Sequence, residues 1–527
     1  MRILVAEPIA TEGTEILRRE HDVDERIGLT PEEYRAILPD YDALVVRSQV
    51  KVDADMIAAG THLTVIGRAG VGVDNVDLEA ATRAGITVVN APTGNTIAAA
   101  ELTLALLFAL ARKVAAADAS MRRGEWKRST YAGHELRGKT LGIVGLGKIG
   151  QAIADRARAL EMSVIGSDPF VTAEQAARHG IELVPFEQLL ERSDVVTLHV
   201  PVTKATKGMI GAAELARMKP SAFLLNVARG AVVDEAALAE ALRAGTIAGA
   251  GIDVYATEPP TGSPLLEAPN TVLTPHLGAS TAEAQVLVAE EAAEQVLAVL
   301  GGRPARYAVN APLLTPETAG AIAPYLPLAE TLGRFYAQFA RGAVETLTLD
   351  VAGELAAHEV TLLQAAVLRG LLEGTTHARV NLVNAAYLAK ARGIALVEQK
   401  APDAGPYATL VTVSGVTGGM RHDVSGTLAN GEQRLARLDG YELEMAPAPW
   451  MLVTRHLDQP GMMGRIGSLL GEADVNISAM HLGRSAPRTD ALMVLALDEA
   501  VPDAVAERIR GLDGVLDLWR IELGDGA

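Results

Sequence analysis

The chain has 527 residues, which predicts about three or four domains and excludes a single small binding module. Hydrophobic residues make up 49% and charged residues 21%, with 50 glycines and 25 prolines, the balance of an ordinary globular chain and not of a disordered or collagenous one. A formal charge of −18 repels polyanions and argues against a nucleic-acid partner, and the absence of cysteine removes disulfides, thiolate zinc sites and cysteine nucleophiles together.

The N-terminus places only Ile3 to Ala6 before Glu7 and Pro8, too short an apolar run for a signal peptide, so it reads as a first strand. The stretch Leu102 to Ala111 lies between Glu101 and Arg112-Lys113 and suits a buried helix, being too short to cross a bilayer. The expectation is a soluble cytoplasmic protein with no membrane segment.

Further strands are expected at 43–46, 63–66 and 87–89, alternating with helices, which implies a parallel sheet with crossover helices. Thr30, Pro31 and Glu33 form a capping-box signal for a helix start. The first block ends near Ala91-Pro92, and one long helix is expected from about Thr96 to Ala117. A second series follows, with strands at 141–145, 164–168, 195–200, 223–227, 249–254 and 271–275. A helix over about 281–300 is expected to return to the first block before Gly301-Gly302-Arg303-Pro304 marks a boundary. Beyond it come a helical region at 316–341, mixed material to about 445, a stiff Pro-rich linker at 446–449, and a βαββαβ unit resembling a ferredoxin-like sandwich.

The expected fold class is therefore α/β, with a Rossmann-type doubly wound sheet inserted in a flavodoxin-like substrate domain. The expected domains are 1–95 with 281–310, 96–280, an α+β domain at 311–447, and a terminal domain at 448–527.

Gly-x-Gly-x-x-Gly at Gly145, Gly147 and Gly150 follows a strand and opens a helix, as a dinucleotide-binding turn does. Gly145 permits the tight turn, Gly147 admits a pyrophosphate and Gly150 lets helix and strand pack closely. Asp168 ends the next strand, where an acidic residue receives the ribose hydroxyls and favours NAD over NADP.

An enzyme moving a hydride to or from a hydroxy acid needs a cation for the carboxylate, an acid/base, and a group that holds the acid/base ready. Arg229, His276 and Glu258 follow three different strands at their carboxyl ends, where open α/β sheets bind ligands. In the first block, Arg47-Ser48 follows one strand and Ala69, Gly70, Val71 and Gly72 follow another, so both loops are expected to face the same cleft. The glycine-rich loop can present N–H groups to a carboxylate, and Arg47 can hold a more distant anion.

The strings RAGVGVDNVD (68–77), NAPTGNTIAAAELT (90–103), GIVGLGKIG (142–150), NVARGAVVDE (226–235), DVYATEPP (253–260) and TPHLGAST (274–281) resemble the D-2-hydroxyacid dehydrogenase family. The resemblance covers the whole chain and extends to the family's long members, which add an intervening domain and a C-terminal ACT domain. It implies NAD-dependent oxidation of 3-phosphoglycerate to 3-phosphohydroxypyruvate, the entry to serine biosynthesis, by a homo-oligomer. Carried over, Arg229 binds the carboxylate, His276 is the acid/base and Glu258 its partner. Lys148, Ile149, Asp168, Val227, Ala228, Arg229, Asp253, His276, Gly278 and Ala279 fall where the family contacts NAD. Arg47 falls at the substrate phosphate, and Lys127 where a residue reaches a neighbouring subunit's site. In regulated members the positions of Asp458 and Asn476 help bind serine across a dimer interface; both match here, while His456 occupies a place that varies.

Shorter hydroxypyruvate, glyoxylate or D-lactate reductases resemble only residues 1 to about 310, and NAD-sensing corepressors share the fold. The eleven histidines form no His-x-x-x-His or His-Glu-x-x-His string, so no metal site is expected.

Overall fold

The computed structural model describes residues 1–311, 316–376 and 379–524. The boundary expected after residue 310 adjoins residues 312–315, which lie outside the described residues.

The first lobe is a five-stranded parallel sheet of β1 (Arg2–Val5), β2 (Asp22–Glu25), β3 (Ala43–Val46), β4 (Val65–Arg68) and β5 (Thr87–Asn90), in the order β2-β1-β3-β4-β5. This is the flavodoxin-like order. Thr30 and Glu33 close the expected capping box, with Thr30 N–H donating to Glu33 Oε2 at 2.8 Å. The helix Ala282–Leu300 packs on this sheet, burying Val296, Leu297 and Leu300 among Ile3, Val5, Val45, Val65 and Val89. Apolar residues on its sheet-facing side drive that return across the lobe junction.

The second lobe holds β6 (Thr140–Val144), β7 (Ser163–Ser167), β8 (Glu182–Leu183), β9 (Val195–Leu198), β10 (Phe223–Asn226), β11 (Gly249–Ile252) and β12 (Thr271–Leu273), all parallel. Their order, β12-β11-β10-β9-β6-β7-β8, is doubly wound and reverses direction beside β6. Two strands, β2 and β8, escape the sequence pattern because they are short edge strands, with charged residues where a buried strand would alternate.

The single helix expected at 96–117 is in fact two, Thr96–Ala111 and Val114–Arg122, broken at Lys113 with φ 52°. The cause is a competing donor: His134 N–H donates to the Ala111 carbonyl at 2.8 Å, the acceptor that a continuing helix would use.

The C-terminal half begins with a six-stranded sheet, β13 (Thr346–Gly353), β14 (Ala395–Ala401), β15 (Thr409–Thr417), β16 (Met420–Ala429), β17 (Glu432–Leu438) and β18 (Tyr441–Met445), ordered β14-β13-β15-β16-β17-β18. The final sheet has β19 (Trp450–Leu457), β20 (Ile477–Arg484), β21 (Asp490–Leu497) and β22 (Val515–Glu522), ordered β20-β21-β19-β22 with every neighbour antiparallel. Two helices, Met462–Gly471 and Asp503–Arg510, cover one face of it, which gives the ferredoxin-like sandwich.

The Pro-rich joint at 446–449 does not hold these two sheets apart as a spacer would. Phe335, Phe339 and Leu347 share one apolar core with Met451, Val453, Val494 and Trp519 across the joint. Phe339 and Trp519 approach to 4.7 Å between ring centroids. Among the described residues, no helix is long and apolar enough to cross a membrane.

Candidate active site

The glycine turn joins β6 to the helix Lys148–Ala159. Gly145 has φ 93°, and a Cβ there would strike the His199 carbonyl, so only glycine fits. A Cβ on Gly147 would meet only open space, which leaves room for a group lying against the turn. No side chain caps the helix, and the N–H groups of Gly147, Lys148 and Ile149 have no acceptor among the described residues. Uncapped N–H groups and the positive end of the helix dipole suit a pyrophosphate. Asp168, just beyond β7, accepts from Leu146 N–H at 2.8 Å and Phe170 N–H at 2.9 Å, so its carboxylate stands beside the turn. These residues fit a bound dinucleotide.

The strands β10, β11 and β12 are adjacent and parallel, so their following loops leave the sheet on one edge. Buried Asn226 shapes the first loop, accepting from Ala228 N–H at 3.1 Å and donating to the Arg229 carbonyl at 2.9 Å. Val227 is buried beneath it. In the second loop, Glu258 Oε1 accepts from Tyr255 N–H at 3.0 Å while Oε2 lies 2.7 Å from His276 Nδ1. His276 therefore keeps its Nε2 free of that contact. The side chains of His276 and Glu258 are 47% and 38% exposed, open enough for a substrate to reach.

Asp253 has no exposed surface, and its oxygens are taken by Thr274 Oγ1 (2.6 Å), Leu277 N–H (2.7 Å) and Gly278 N–H (2.9 Å). The carboxylate thus moulds the loop that carries His276, whose φ is 55° and whose N–H donates to the Asp253 carbonyl at 2.8 Å. Ala279 follows in that loop, its carbonyl held by Gln285 at 2.7 Å.

Across the lobe junction, Arg229 Nε donates to Asp74 Oδ2 at 3.0 Å, linking the second lobe to the loop after β4. The contact is close: a Cβ on Gly72 would run into the Arg229 guanidinium. In that loop the Ala69 and Gly70 N–H groups are committed to the Val46 and Arg68 carbonyls. Val71 and Gly72 N–H have no acceptor among the described residues, so these two are the donors left for an anion.

Four residues that bear on the candidate site were not singled out by sequence reasoning. Buried Glu7 accepts from the N–H groups of Arg47, Ser48, Gln49 and Val50 and so shapes the Arg47 loop. Arg68 Nε donates to the Arg47 carbonyl at 3.1 Å. Burial, reinforced by the neighbouring Arg229 charge, pulls the Arg68 guanidinium down to about 10. A cation so placed favours an anionic ligand. Asn95 Oδ1 and Thr96 Oγ1 are buried without a partner where the chain crosses from the first lobe to the second, a place for a polar ligand or water. Arg68 opens the string RAGVGVDNVD, but an arginine closing a strand also reads as a solvated end.

Lys127 pairs with Glu125 at 3.2 Å on an exposed segment beside Trp126, which is 76% exposed. In the terminal sheet, His456 is 2% exposed and burial lowers its pKa. Asp458 accepts from Arg488 N–H at 2.9 Å and from Arg484 at 3.1 Å, which hold its carboxyl below the ordinary range. Asn476 donates to Asp498 at 2.6 Å. The structure does not bring Asp458 and Asn476 together within the chain: one follows Leu457 at one end of β19, the other adjoins the Trp450 end.

Residues 104–278 match the NAD-binding domain of the D-isomer specific 2-hydroxyacid dehydrogenases, 321–439 the D-3-phosphoglycerate dehydrogenase intervening domain, and 450–514 the ACT domain. The chain is 45% identical to a D-3-phosphoglycerate dehydrogenase of Synechocystis over 525 residues, covering 99% of this chain and 95% of that one. It is 42% identical to that of Archaeoglobus fulgidus over 527 residues, covering 99% and 100%. Among solved structures, the TT0316 protein of Thermus thermophilus aligns with a TM-score of 0.55 and 40% identity, covering 59% of this chain and all of its own. An NAD-fitted glycine turn, a strand-edge histidine and carboxylate, and this three-part match lead to one conclusion: the chain is an NAD-dependent dehydrogenase belonging to the D-3-phosphoglycerate dehydrogenase family, within the D-isomer specific 2-hydroxyacid dehydrogenases.

Proposed function

We propose that the chain oxidises 3-phospho-D-glycerate to 3-phosphohydroxypyruvate, the first step of L-serine biosynthesis, as a cytoplasmic homo-oligomer. The observation that supports the mechanism is the 2.7 Å contact between His276 Nδ1 and Glu258, which leaves Nε2 free to meet a substrate. Bound NAD supplies the acceptor for the hydride that leaves C2. His276 Nε2 takes the C2 hydroxyl proton, and the Glu258 carboxylate stabilises the imidazolium that results.

Arg229, with the free N–H groups of Val71 and Gly72, grips the substrate carboxylate; the planar guanidinium can release Asp74 to do so. Arg47 and Arg68 hold the phosphate. Arg68 Nε donates to the Arg47 carbonyl at 3.1 Å, and the Arg47 charge adds to the cost of keeping Arg68 charged, a cost that a dianion would relieve. Asp253, Val227, Ala228, Gly278 and Ala279 shape the nicotinamide end, while Lys148, Ile149 and Asp168 hold the pyrophosphate and ribose. Lys127 reaches a neighbouring subunit's site, and serine binds at Asp458 and Asn476 between two ACT units.

The test is NADH formation measured separately with 3-phosphoglycerate, D-lactate and glycerate. Turnover is expected with the first at least about 100-fold more efficient than with either other acid, since two arginines would otherwise face an absent phosphate. Equal turnover of D-lactate would overturn the substrate assignment and leave a general hydroxy-acid dehydrogenase.

A further inference from the structure

The segment leaving the helix Ala282–Leu300 for the C-terminal half does not cross the surface freely. It lies along β5 as an extra antiparallel edge: Asn90 N–H donates to the Tyr307 carbonyl at 3.2 Å, and Val309 N–H to the Val88 carbonyl at 2.7 Å. Asn310 Oδ1 accepts from Val88 N–H at 2.8 Å. Gln295, largely buried in the helix, accepts the Tyr307 N–H at 3.1 Å. The Tyr307 backbone is thus fastened on both sides to the first lobe.

Its ring belongs to a different neighbourhood. Lys148 Nζ, on the first residue of the helix that follows the glycine turn, lies over the Tyr307 ring at 5.6 Å from the centroid. The Arg306 guanidinium lies over the same ring at 5.1 Å. Among the described residues no carboxylate pairs with Lys148, so the aromatic ring is the only partner holding this long, otherwise mobile cation.

We propose that Tyr307 is a positioning residue for the cofactor: its ring, anchored on the first lobe, holds the Lys148 ammonium beside the turn that receives the cofactor's pyrophosphate. The inference rests on the dinucleotide reading of Gly145–Gly150. A cation above an aromatic face is attracted by the ring quadrupole, and the attraction does not need the phenol hydroxyl. Holding the ammonium near its binding position removes part of the entropy that a free lysine would lose on meeting a phosphate. Because the ring is carried by the first lobe and the lysine by the second, cofactor affinity is also tied to the relative position of the lobes.

The test measures the Kd of NADH and of ADP-ribose, which keeps the pyrophosphate without the nicotinamide. Tyr307→Leu is expected to raise both about threefold, with kcat at saturating NAD and substrate changed less than twofold. Tyr307→Phe should restore the wild-type values, since the ring remains. In a Lys148→Met background, itself weaker for both ligands, Tyr307→Leu should add nothing. The proposal is overturned if Tyr307→Leu binds like wild type, if Tyr307→Phe is as damaging as Tyr307→Leu, or if the two changes multiply in the double variant. Failure of the wild-type protein to bind either nucleotide would instead remove the dinucleotide reading itself.

Discussion

The second lobe and the terminal sheet both carry ligand-binding candidates, and they distribute them in opposite ways. In the second lobe, β10, β11 and β12 are parallel neighbours, so Arg229, Glu258 and His276 leave the sheet at one edge although they lie far apart in the chain. In the terminal sheet β19 and β20 both pair antiparallel with β21 and so run the same way, joined by the helix Met462–Gly471; Asp458 follows the first strand and Asn476 precedes the second, so they mark opposite ends of one crossover. Asp458 and Asn476 are as near in sequence as Glu258 and His276, yet they stand the length of β19 apart, about 23 Å at the rise of an extended strand. Residues that all follow parallel strands assemble a site within one chain, whereas two residues at opposite ends of a crossover do not, and a site that uses both needs a second copy.

The largest expected effect tests the single-chain site. His276→Ala should lower kcat by about 10²- to 10⁴-fold, the range of a lost general acid/base, with the Kd of NADH unchanged by titration of its fluorescence. Retained turnover would remove the chemistry from this sheet edge. Arg229→Lys keeps the charge but loses the fork, so kcat/KM for 3-phosphoglycerate should fall about 10- to 100-fold in steady-state assays. A change confined to NAD binding would show that Arg229 does not meet the substrate.

A smaller effect concerns Arg68. Its folded pKa, about 10, lies below the ordinary arginine value, so the unfolded chain holds that proton more tightly. Keeping the cation buried therefore costs stability at any pH below about 10, and the cost fades as the pH rises from there toward the ordinary arginine value. An anion beside it should offset the same cost at neutral pH. Arg68→Met is expected to melt at or above the wild-type temperature without ligand, to gain less from added 3-phosphoglycerate or inorganic phosphate, and to show a KM about tenfold higher. An identical ligand-induced shift in the two proteins, read by differential scanning calorimetry, would place the phosphate elsewhere.

The second lobe was largely legible because its signals are local and redundant: a turn that demands glycine at Gly145, and polar residues that follow β-branched runs. What escaped depends on contacts between distant segments. The helix break at Lys113 follows from the donor on His134, and Glu7 matters because four N–H groups from another loop converge on its carboxylate. Arg68 gains its meaning from Arg229, which belongs to the other lobe. In the C-terminal half, the Pro-rich joint reads as a spacer in one dimension; only the shared packing of Phe339 and Trp519 shows that its two sides form one core.

The smallest effect bears on the second half of the comparison. Asp458 is already paired with Arg484 and Asn476 with Asp498, so within one chain neither lacks a partner, and a ligand must exchange these contacts for its own. Asp458→Asn and Asn476→Ala should each change uninhibited kcat less than twofold, because both lie in the terminal sheet, far from the His276 loop in the chain, while each abolishes the response to serine. Co-assembly of the two variants is the decisive arm. If a serine site takes Asp458 from one copy and Asn476 from another, each mixed pair regains one intact site of two, and mixed pairs purified from the co-assembly should regain about half of the serine response in NADH-coupled assays. A site made within one chain cannot be rebuilt this way, since every copy in the mixture carries one of the two lesions. Full loss in the mixed oligomer would therefore show that the opposite ends of this crossover do not set where this ligand binds.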